Sequence, residues 1–282
     1  MKFTVDQDEL LVSFLQRKIG CSISKIKKKI KYSNITIDGE LNTTHNPAVK
    51  SGQIILLDES SSPKKNISIL FEDDQLIAVE KPVNLLTMGT GKYNENTLYQ
   101  QVNTYIKEKS HNRQNAHIIH RLDREVSGIL LFAKNKKVQE KVIDEWYGFE
   151  KKYYAIVEGV VVKESETLTH WLKENKQYHV YVTSEKDGGK KSITSYNLIN
   201  KSKEYSLLEV FIQTGRKNQI RVQLSEIGHS IIGDQKFGAE SNPINRLGLH
   251  AFSLKFNHPV SNLEVAINTE IPVSFAKLFS LN

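Results

Sequence analysis

Asp123 lies in a short polar turn, His120-Arg121-Leu122-Asp123-Arg124-Glu125-Val126-Ser127-Gly128, between the apolar segments Ile118-Ile119 and Ile129 to Ala133. A lone carboxylate flanked by Arg121 and Arg124 is a candidate nucleophile, because neighbouring cations favour its ionised form. Three other chemistries fit the composition of this region less well. His117, His120 and Asp123 have the spacing of a metal triad, but on a strand the two histidines would face opposite ways, and no CxxC or HExxH pattern accompanies them. A glycosidase of the retaining type needs a second carboxylate about 5 Å from the first; Glu125 is near in sequence, yet nothing in the sequence directs it to the same site. Gly89-Thr90-Gly91-Lys92 lacks the first glycine of a phosphate loop, since position 85 is Leu, and Lys92 is followed by Tyr93.

The elements that must position Asp123 are legible as hydrophobic periodicity. Ile67 to Phe71, Leu76 to Glu80, Ile129 to Ala133, Tyr153 to Val161, Ser192 to Leu198 and Ser206 to Ile212 read as strands. Helical spacing occurs over Thr97 to Lys109, Lys137 to Trp146 and Asn218 to Ile227. Successive strands with few intervening helices predict an α+β domain around a largely antiparallel mixed sheet, over residues 67–282. Residues 59–66, within the polar stretch Asp58 to Asn66, read as a linker.

Residues 1–58 form a separate basic module. Leu10, Leu11, Phe14, Leu15 and Ile19 recur at helical spacing up to Gly20, which can end the helix. Ile23, Ile26 and Ile30 mark one face of a second helix, with Ser22 as a candidate cap and Lys25, Lys28 and Lys29 largely on the other face. Ile35-Thr36-Ile37 followed by Asp38-Gly39 predicts a hairpin, and Gln53 to Leu57 a closing strand. The lysines suit RNA phosphates; the plainer alternative is a solvated helix face.

Charge and composition narrow the partners. The 282 residues carry a net charge of +7 with pI near 9.2, which favours a polyanion. Cys21 is the only cysteine, so no intramolecular disulfide forms, in keeping with a reducing compartment. Asp6, Asp8 and Glu9 interrupt the first residues, which have no apolar core typical of a signal peptide, and no apolar run is long enough to span a bilayer. A cytoplasmic location is expected, without membrane association.

Three segments far apart in sequence resemble one family. His120 to Gly128 closely resembles the H-R-L-D-x-x-(T/S)-S-G motif of the RluA-type pseudouridine synthases, departing from it at Val126. Lys151-Lys152-Tyr153-Tyr154-Ala155-Ile156-Val157-Glu158-Gly159 resembles that family's K-x-Y-x-A-x-V-x-G strand, and matching by position selects Tyr153, on one face with Ala155 and Val157. Thr214-Gly215-Arg216-Lys217-Asn218-Gln219-Ile220-Arg221-Val222-Gln223-Leu224 resembles T-G-R-x-H-Q-I-R-V-H-L, with Asn218 and Gln223 at its two histidines. Both replacements can hydrogen-bond but neither titrates. Further matches extend the resemblance over nearly all of Ile67 to Leu278. The order of two helices and short strands in residues 1–58 is similar to the S4 RNA-binding domain.

The resemblance implies a pseudouridine synthase that isomerises uridine in structured RNA without a cofactor or metal. Asp123 would be the nucleophile, Arg221 its partner and Tyr153 the active-site aromatic; on bare sequence, Tyr153 would read as a core residue and Arg221 as a structural ion pair. His120, Arg121, Leu122 and Leu224 would contact substrate, and Lys25, Lys28, Lys29, Lys64 and Lys65 the RNA backbone. Ribosomal RNA is expected ahead of transfer RNA, and a monomer ahead of an oligomer. A non-catalytic RNA-binding protein would not need Asp123, Tyr153 and Arg221 together.

Overall fold

In the computed structural model, residues 1–32, 34–41, 46–58, 67–89 and 97–279 are described. Lys64 and Lys65, with the rest of 59–66, and Thr90 to Lys92 lie outside them, as do the side chains of Lys28 and Lys29. The chain divides into two compact units, Met1–Asn66 and Ile67–Asn282. No helix among the described residues is long and apolar enough to cross a membrane.

The first unit runs β1 (Lys2–Thr4), β2 (Glu9–Leu10), α1 (Leu11–Ile19), α2 (Ile23–Tyr32), β3 (Asn34–Ile37), β4 (Glu40–Leu41), β5 (Ala48–Val49) and β6 (Ile54–Asp58). Gly20 terminates α1 at φ 72°, a left-handed conformation that costs glycine little. Asp38 and Gly39 both have positive φ, as a two-residue hairpin with the twist of its strands requires. Leu11, Phe14, Leu15 and Ile26 pack with Ile35, Ile55 and Leu57 into this unit's own core. Lys25 is exposed on α2.

The second unit is built on one mixed sheet. Its strands are β7 (Ser68–Glu72), β8 (Leu76–Lys81), β9 (His117–Ile118), β10 (Ser127–Ala133), β11 (Glu150–Glu158), β12 (Ser165–Glu174), β13 (Val180–Thr183), β14 (Lys190–Lys201), β15 (Tyr205–Ile212), β16 (Leu249–Asn257) and β17 (Glu264–Asn268). The order is β13-β12-β14-β15-β11-β16-β10-β8-β7, with β17 on β16 and β9 on β10. Among the described residues, β10–β16 is the one parallel pair; all other neighbours run antiparallel. The helices are α3 (Leu98–Lys109), α4 (Lys136–Glu145), α5 (Gln219–Glu226) and α6 (Val273–Leu278). Thr97 and Asn135 cap α3 and α4 by accepting from Gln100 N and Val138 N.

β8 and β10 are apolar at nearly every position because both faces are covered. Ile77, Val79, Leu130 and Phe132 enter one core with Val102 and Ile106 of α3 and Ile220 and Leu224 of α5. Leu76, Ala78, Ile129 and Leu131 enter another with Val138 and Val142 of α4. Five strands of this unit escaped the sequence reading: β9, β12, β13, β16 and β17.

The strand that matters most for the site is β16. Its Ala251 pairs with Gly128 on one side and with Tyr153 on the other. The pairing of β11 with β16 shifts register at Lys152/Tyr153, a bulge that sets the direction of the following tyrosine. Gly128 has φ +120°, and a Cβ there would lie 2.1 Å from the Ala251 carbonyl oxygen. Gly128→Ala is therefore expected to destabilise the second unit by about 3 kcal/mol or more, through a clash with backbone in a conformation that only glycine adopts readily. Denaturant titration checks this, and a loss below about 1 kcal/mol would mean that β10 and β16 can separate at little cost.

Candidate active site

The turn carrying Asp123 is held from several sides by side chains remote in sequence. Thr87 Oγ1 donates to the Leu122 carbonyl at 2.8 Å and accepts from the Leu122 amide at 3.2 Å. Lys81, fully buried at the end of β8, donates to the carbonyls of Leu85 at 2.8 Å, Pro82 at 3.0 Å and Arg124 at 3.1 Å. Burial lowers its pKa to about 8, against the opposing attraction of Glu125 and Asp123, so it stays largely protonated at neutral pH. Val126 N closes the turn on the Asp123 carbonyl at 3.2 Å. Val126 itself is buried in the main core, an apolar side chain where the related motif has a hydroxyl.

At the start of β10, Arg246 Nη2 donates to Ser127 Oγ at 2.6 Å, and Ser127 Oγ lies 2.7 Å from His250 Nδ1. Thr269 Oγ1 donates to the Phe252 carbonyl at 3.5 Å, so it accepts from His250 Nε2–H at 2.8 Å, and Nδ1 accepts a hydrogen bond from the Ser127 hydroxyl. Burial, reinforced by Arg246, lowers the His250 pKa to about 4, which keeps the ring in this neutral tautomer.

Asp123 itself faces the start of α5. Its Oδ2 accepts from Arg221 Nη1 at 3.0 Å and from Asn218 Nδ2 at 2.5 Å. Arg221 reaches Asp123 with one bond, not with the two parallel bonds that a guanidinium can make to a carboxylate. That bidentate contact goes to Asp234, through Nε to Oδ2 at 2.6 Å and Nη2 to Oδ1 at 2.7 Å. Asp234 is 2% exposed and Arg221 6%, so the pair sits beneath the surface with only Nη1 turned to Asp123. Glu125 Oε2 is 3.9 Å from Nη1, and the guanidinium lies 5.1 Å from the Phe237 ring centroid. The Arg221 pKa is raised: burial opposes the charge, but Asp234 and then Asp123 outweigh it.

α5 is fastened so that Arg221 cannot drift. Gln219 accepts from Thr214 Oγ1 at 2.8 Å and Arg216 N at 3.0 Å, and donates to the Ile193 carbonyl at 3.0 Å. Gln223, fully buried, accepts from Thr194 Oγ1 at 2.7 Å and donates to the Ser192 and Leu168 carbonyls at 3.2 and 3.3 Å. The neutral amide at position 223 thus joins the helix to β12 and β14.

Tyr153 packs against the main core on the same sheet face as Ala155 and Val157, while Tyr154 stacks on Phe252 at 3.8 Å on the other face. Burial, and then the charge of Asp123, push the Tyr153 phenol well above its ordinary pKa, so the neutral phenol is strongly favoured. Leu122 and Leu224 are buried in that core, and Leu224 is fully enclosed. Arg121 is exposed, with no hydrogen bond or ion pair among the described residues.

His120, expected among the substrate contacts, is also tied into the frame behind the turn. Its Nε2 accepts from Leu131 N at 3.0 Å, its ring stacks on Trp146 at 4.4 Å, and burial lowers its pKa to about 3. Both its face and its ring nitrogen serve the frame behind the turn. Lys81, Asp234 and Arg246 are the site residues to which sequence reasoning gave no role. Gly233 offered a signal, since its φ is +75° and a Cβ would lie 2.4 Å from the Arg246 carbonyl oxygen, fixing Asp234 beside that strand entry. No group of three His, Cys, Asp or Glu placed to hold a metal occurs among the described residues.

Removing Arg221 would leave Asp234 buried without its cation. Arg221→Met is expected to cost about 3–5 kcal/mol. Adding Asp234→Asn to that variant should recover a substantial part, and adding the more exposed Asp123→Asn less. Chemical denaturation of the singles and doubles checks the coupling; strictly additive losses for Arg221 and Asp234 would contradict the buried pair.

Residues 75–226 match the family model described as RNA pseudouridylate synthase. The chain is 30% identical over 232 residues to the ribosomal large subunit pseudouridine synthase D of Zymomonas mobilis, covering 76% of this chain and 72% of that one. It is also 30% identical over 237 residues to the tRNA pseudouridine synthase C of Haemophilus ducreyi, covering 76% and 95% respectively. The fold is similar to that of the human RNA Pseudouridylate Synthase Domain Containing 4, with a TM-score of 0.64 and 22% identity over 76% of this chain and 92% of that one.

Proposed function

The chain belongs to the RNA pseudouridylate synthase family, and on that premise we propose that it isomerises uridine in structured large-subunit ribosomal RNA, with Asp123 as the nucleophile. The observation that carries this reading is the placement of one carboxylate, Asp123, against Arg221 beside the half-buried Tyr153. The protein is an RNA pseudouridine synthase, an isomerase. The reaction breaks the bond between uracil N1 and ribose C1′, turns the base and rejoins it through C5. No electrons or groups are taken from outside, so no cofactor is required.

Attack on C1′ or on the uracil ring makes the same demand on Asp123: an ionised carboxylate with a fixed direction. Arg221 supplies the direction, through a permanent charge whose own orientation is set by Asp234. Tyr153 offers the detached uracil an aromatic face and a neutral hydroxyl. Leu122 and Leu224 are buried in the core against which Tyr153 packs, and so back the ring rather than line the pocket. The target base has to leave the stack, at a cost of a few kcal/mol, and Arg121, exposed and two residues from Asp123, would occupy the vacated space.

Residues 1–58 act as an S4-like RNA-binding domain, joined through 59–66 to a catalytic domain of residues 67–282. Support comes from the order α1, α2 and hairpin, and from the basic run on α2. Lys25, Lys28 and Lys29, with Lys64 and Lys65, would meet phosphates, and the counterions released would offset the cost of flipping the base. This module favours ribosomal RNA; the similarity to a transfer RNA synthase supports the second reading, transfer RNA. The protein works as a monomer in the cytoplasm.

Incubating the protein with ribosomal and transfer RNA lacking pseudouridine, followed by base-resolution mapping, tests the assignment. Conversion is expected at defined large-subunit sites by the wild type and at none by Asp123→Asn, which should still bind RNA. Pseudouridine formed by Asp123→Asn would refute the nucleophile, and conversion confined to transfer RNA would replace the substrate.

A further inference from the structure

Asn218 occupies the N-terminal cap position of α5, yet its side chain makes no capping hydrogen bond. Its backbone is left-handed, at φ 53° and ψ 21°, and the residue is 8% exposed. This conformation turns the amide away from the helix and towards the catalytic turn. There Nδ2 donates to Asp123 Oδ2 at 2.5 Å, and Oδ1 accepts from Lys236 Nζ at 3.3 Å. The partners dictate the orientation of the amide: only its NH2 can serve a carboxylate, and only its carbonyl an ammonium.

Both donors that reach Asp123, Arg221 Nη1 and Asn218 Nδ2, bind the same oxygen. Among the described residues, no hydrogen bond reaches Oδ1. The two carboxylate oxygens are therefore chemically distinct. Oδ2 is anchored twice, while Oδ1 keeps its lone pairs for an electrophile.

We propose that Asn218 is a positioning residue that, with Lys236 behind it, fixes the Asp123 carboxylate so that Oδ1 is the attacking oxygen. The inference rests on Asp123 being the nucleophile. A single bond from Arg221 leaves the carboxylate free to rotate about it; the second donor, on another side of Oδ2, removes that freedom. Lys236 polarises the amide, so the N–H offered to Oδ2 is a stronger donor than an isolated asparagine would supply. Lys236 also lies 5.2 Å from the Phe237 ring centroid, on the ring that Arg221 faces, which holds both cations in one arrangement. The neutral amide gives this contact without a titrating group, in contrast to the histidine of the related motif.

The test uses the full chain and a large-subunit ribosomal RNA transcript in which the wild type forms pseudouridine. Asn218→Gly removes the amide and keeps the left-handed backbone without strain, so folding should persist. Its single-turnover rate at saturating RNA should fall about 10- to 100-fold, the loss expected for a hydrogen bond to a charged group. RNA affinity and melting temperature should hardly change. Asn218→His, which tolerates positive φ and offers a ring N–H, should recover most of the rate. A purely structural role would instead lower melting temperature or affinity, with no rescue by histidine, and would overturn the proposal. So would an Asn218→Gly rate within about twofold of wild type, a change smaller than the loss of any such bond. If the wild type converted no uridine, the functional reading would fail, and the positioning role with it. Conversion by the wild type with unchanged Asn218→Gly kinetics would remove the positioning role alone.

Discussion

Arg221 is shared between two carboxylates, and the rest of the site depends on how that sharing is divided. Asp234, almost wholly buried, takes two of its nitrogens; Asp123, at the surface of the site, receives the third. A guanidinium suits this because its fork is planar, permanently charged and able to serve two acceptors in one fixed geometry. The buried contact orients the cation, and the cation then orients the reactive carboxylate.

Holding this arrangement requires the segments around Asp123, Tyr153 and Arg221 to meet, the first and last 98 residues apart, and β16 joins the first two. Ala251 pairs with Gly128 after the Asp123 turn and with Tyr153 on β11. The absence of a side chain at Gly128 lets the strands approach, and the register shift at Tyr153 sets its direction. The turn itself has little regular structure. Its carbonyls and amides are satisfied by Thr87 and Lys81, and its exit by the chain from Arg246 through Ser127 to His250. These polar groups are buried and mutually satisfied, which is how a loop can carry a nucleophile without losing precision.

Local pattern made much of this legible before the structure. β8, β10 and β15 are dense in branched apolar residues, and α3 and α4 show one apolar face, so their existence and approximate limits follow from periodicity alone. Asp38-Gly39 announced its hairpin for a stereochemical reason, the need for positive φ at both positions. β16 did not announce itself. It alternates Leu249, His250, Ala251 and Phe252, all buried, because the histidine is satisfied by Ser127 and Thr269, partners 123 and 19 residues away. No local pattern can encode such partners. For the same reason Lys81, Asp234 and Arg246 were not assigned roles: a charged residue is read as exposed until its partners are known. His120 shows the converse. Its motif suggests only a substrate contact, and its bonds to the frame, through Trp146 and the Leu131 amide, were not legible. Asp123, by contrast, stood out as a lone carboxylate between two arginines, whereas Arg221 and Tyr153 were singled out by the resemblance of their segments to one family.

The central claim is that the bridging geometry of Arg221, and not its charge alone, aims Asp123. Arg221→Lys tests it most directly, since lysine keeps the charge but cannot hold Asp234 with two bonds while reaching Asp123 with a third. Measured as single-turnover pseudouridine formation at saturating RNA, alongside the melting temperature, this account predicts a rate loss of about 100-fold or more in a protein that still folds and binds RNA. A folded Arg221→Lys protein working within a few-fold of the wild-type rate would contradict it.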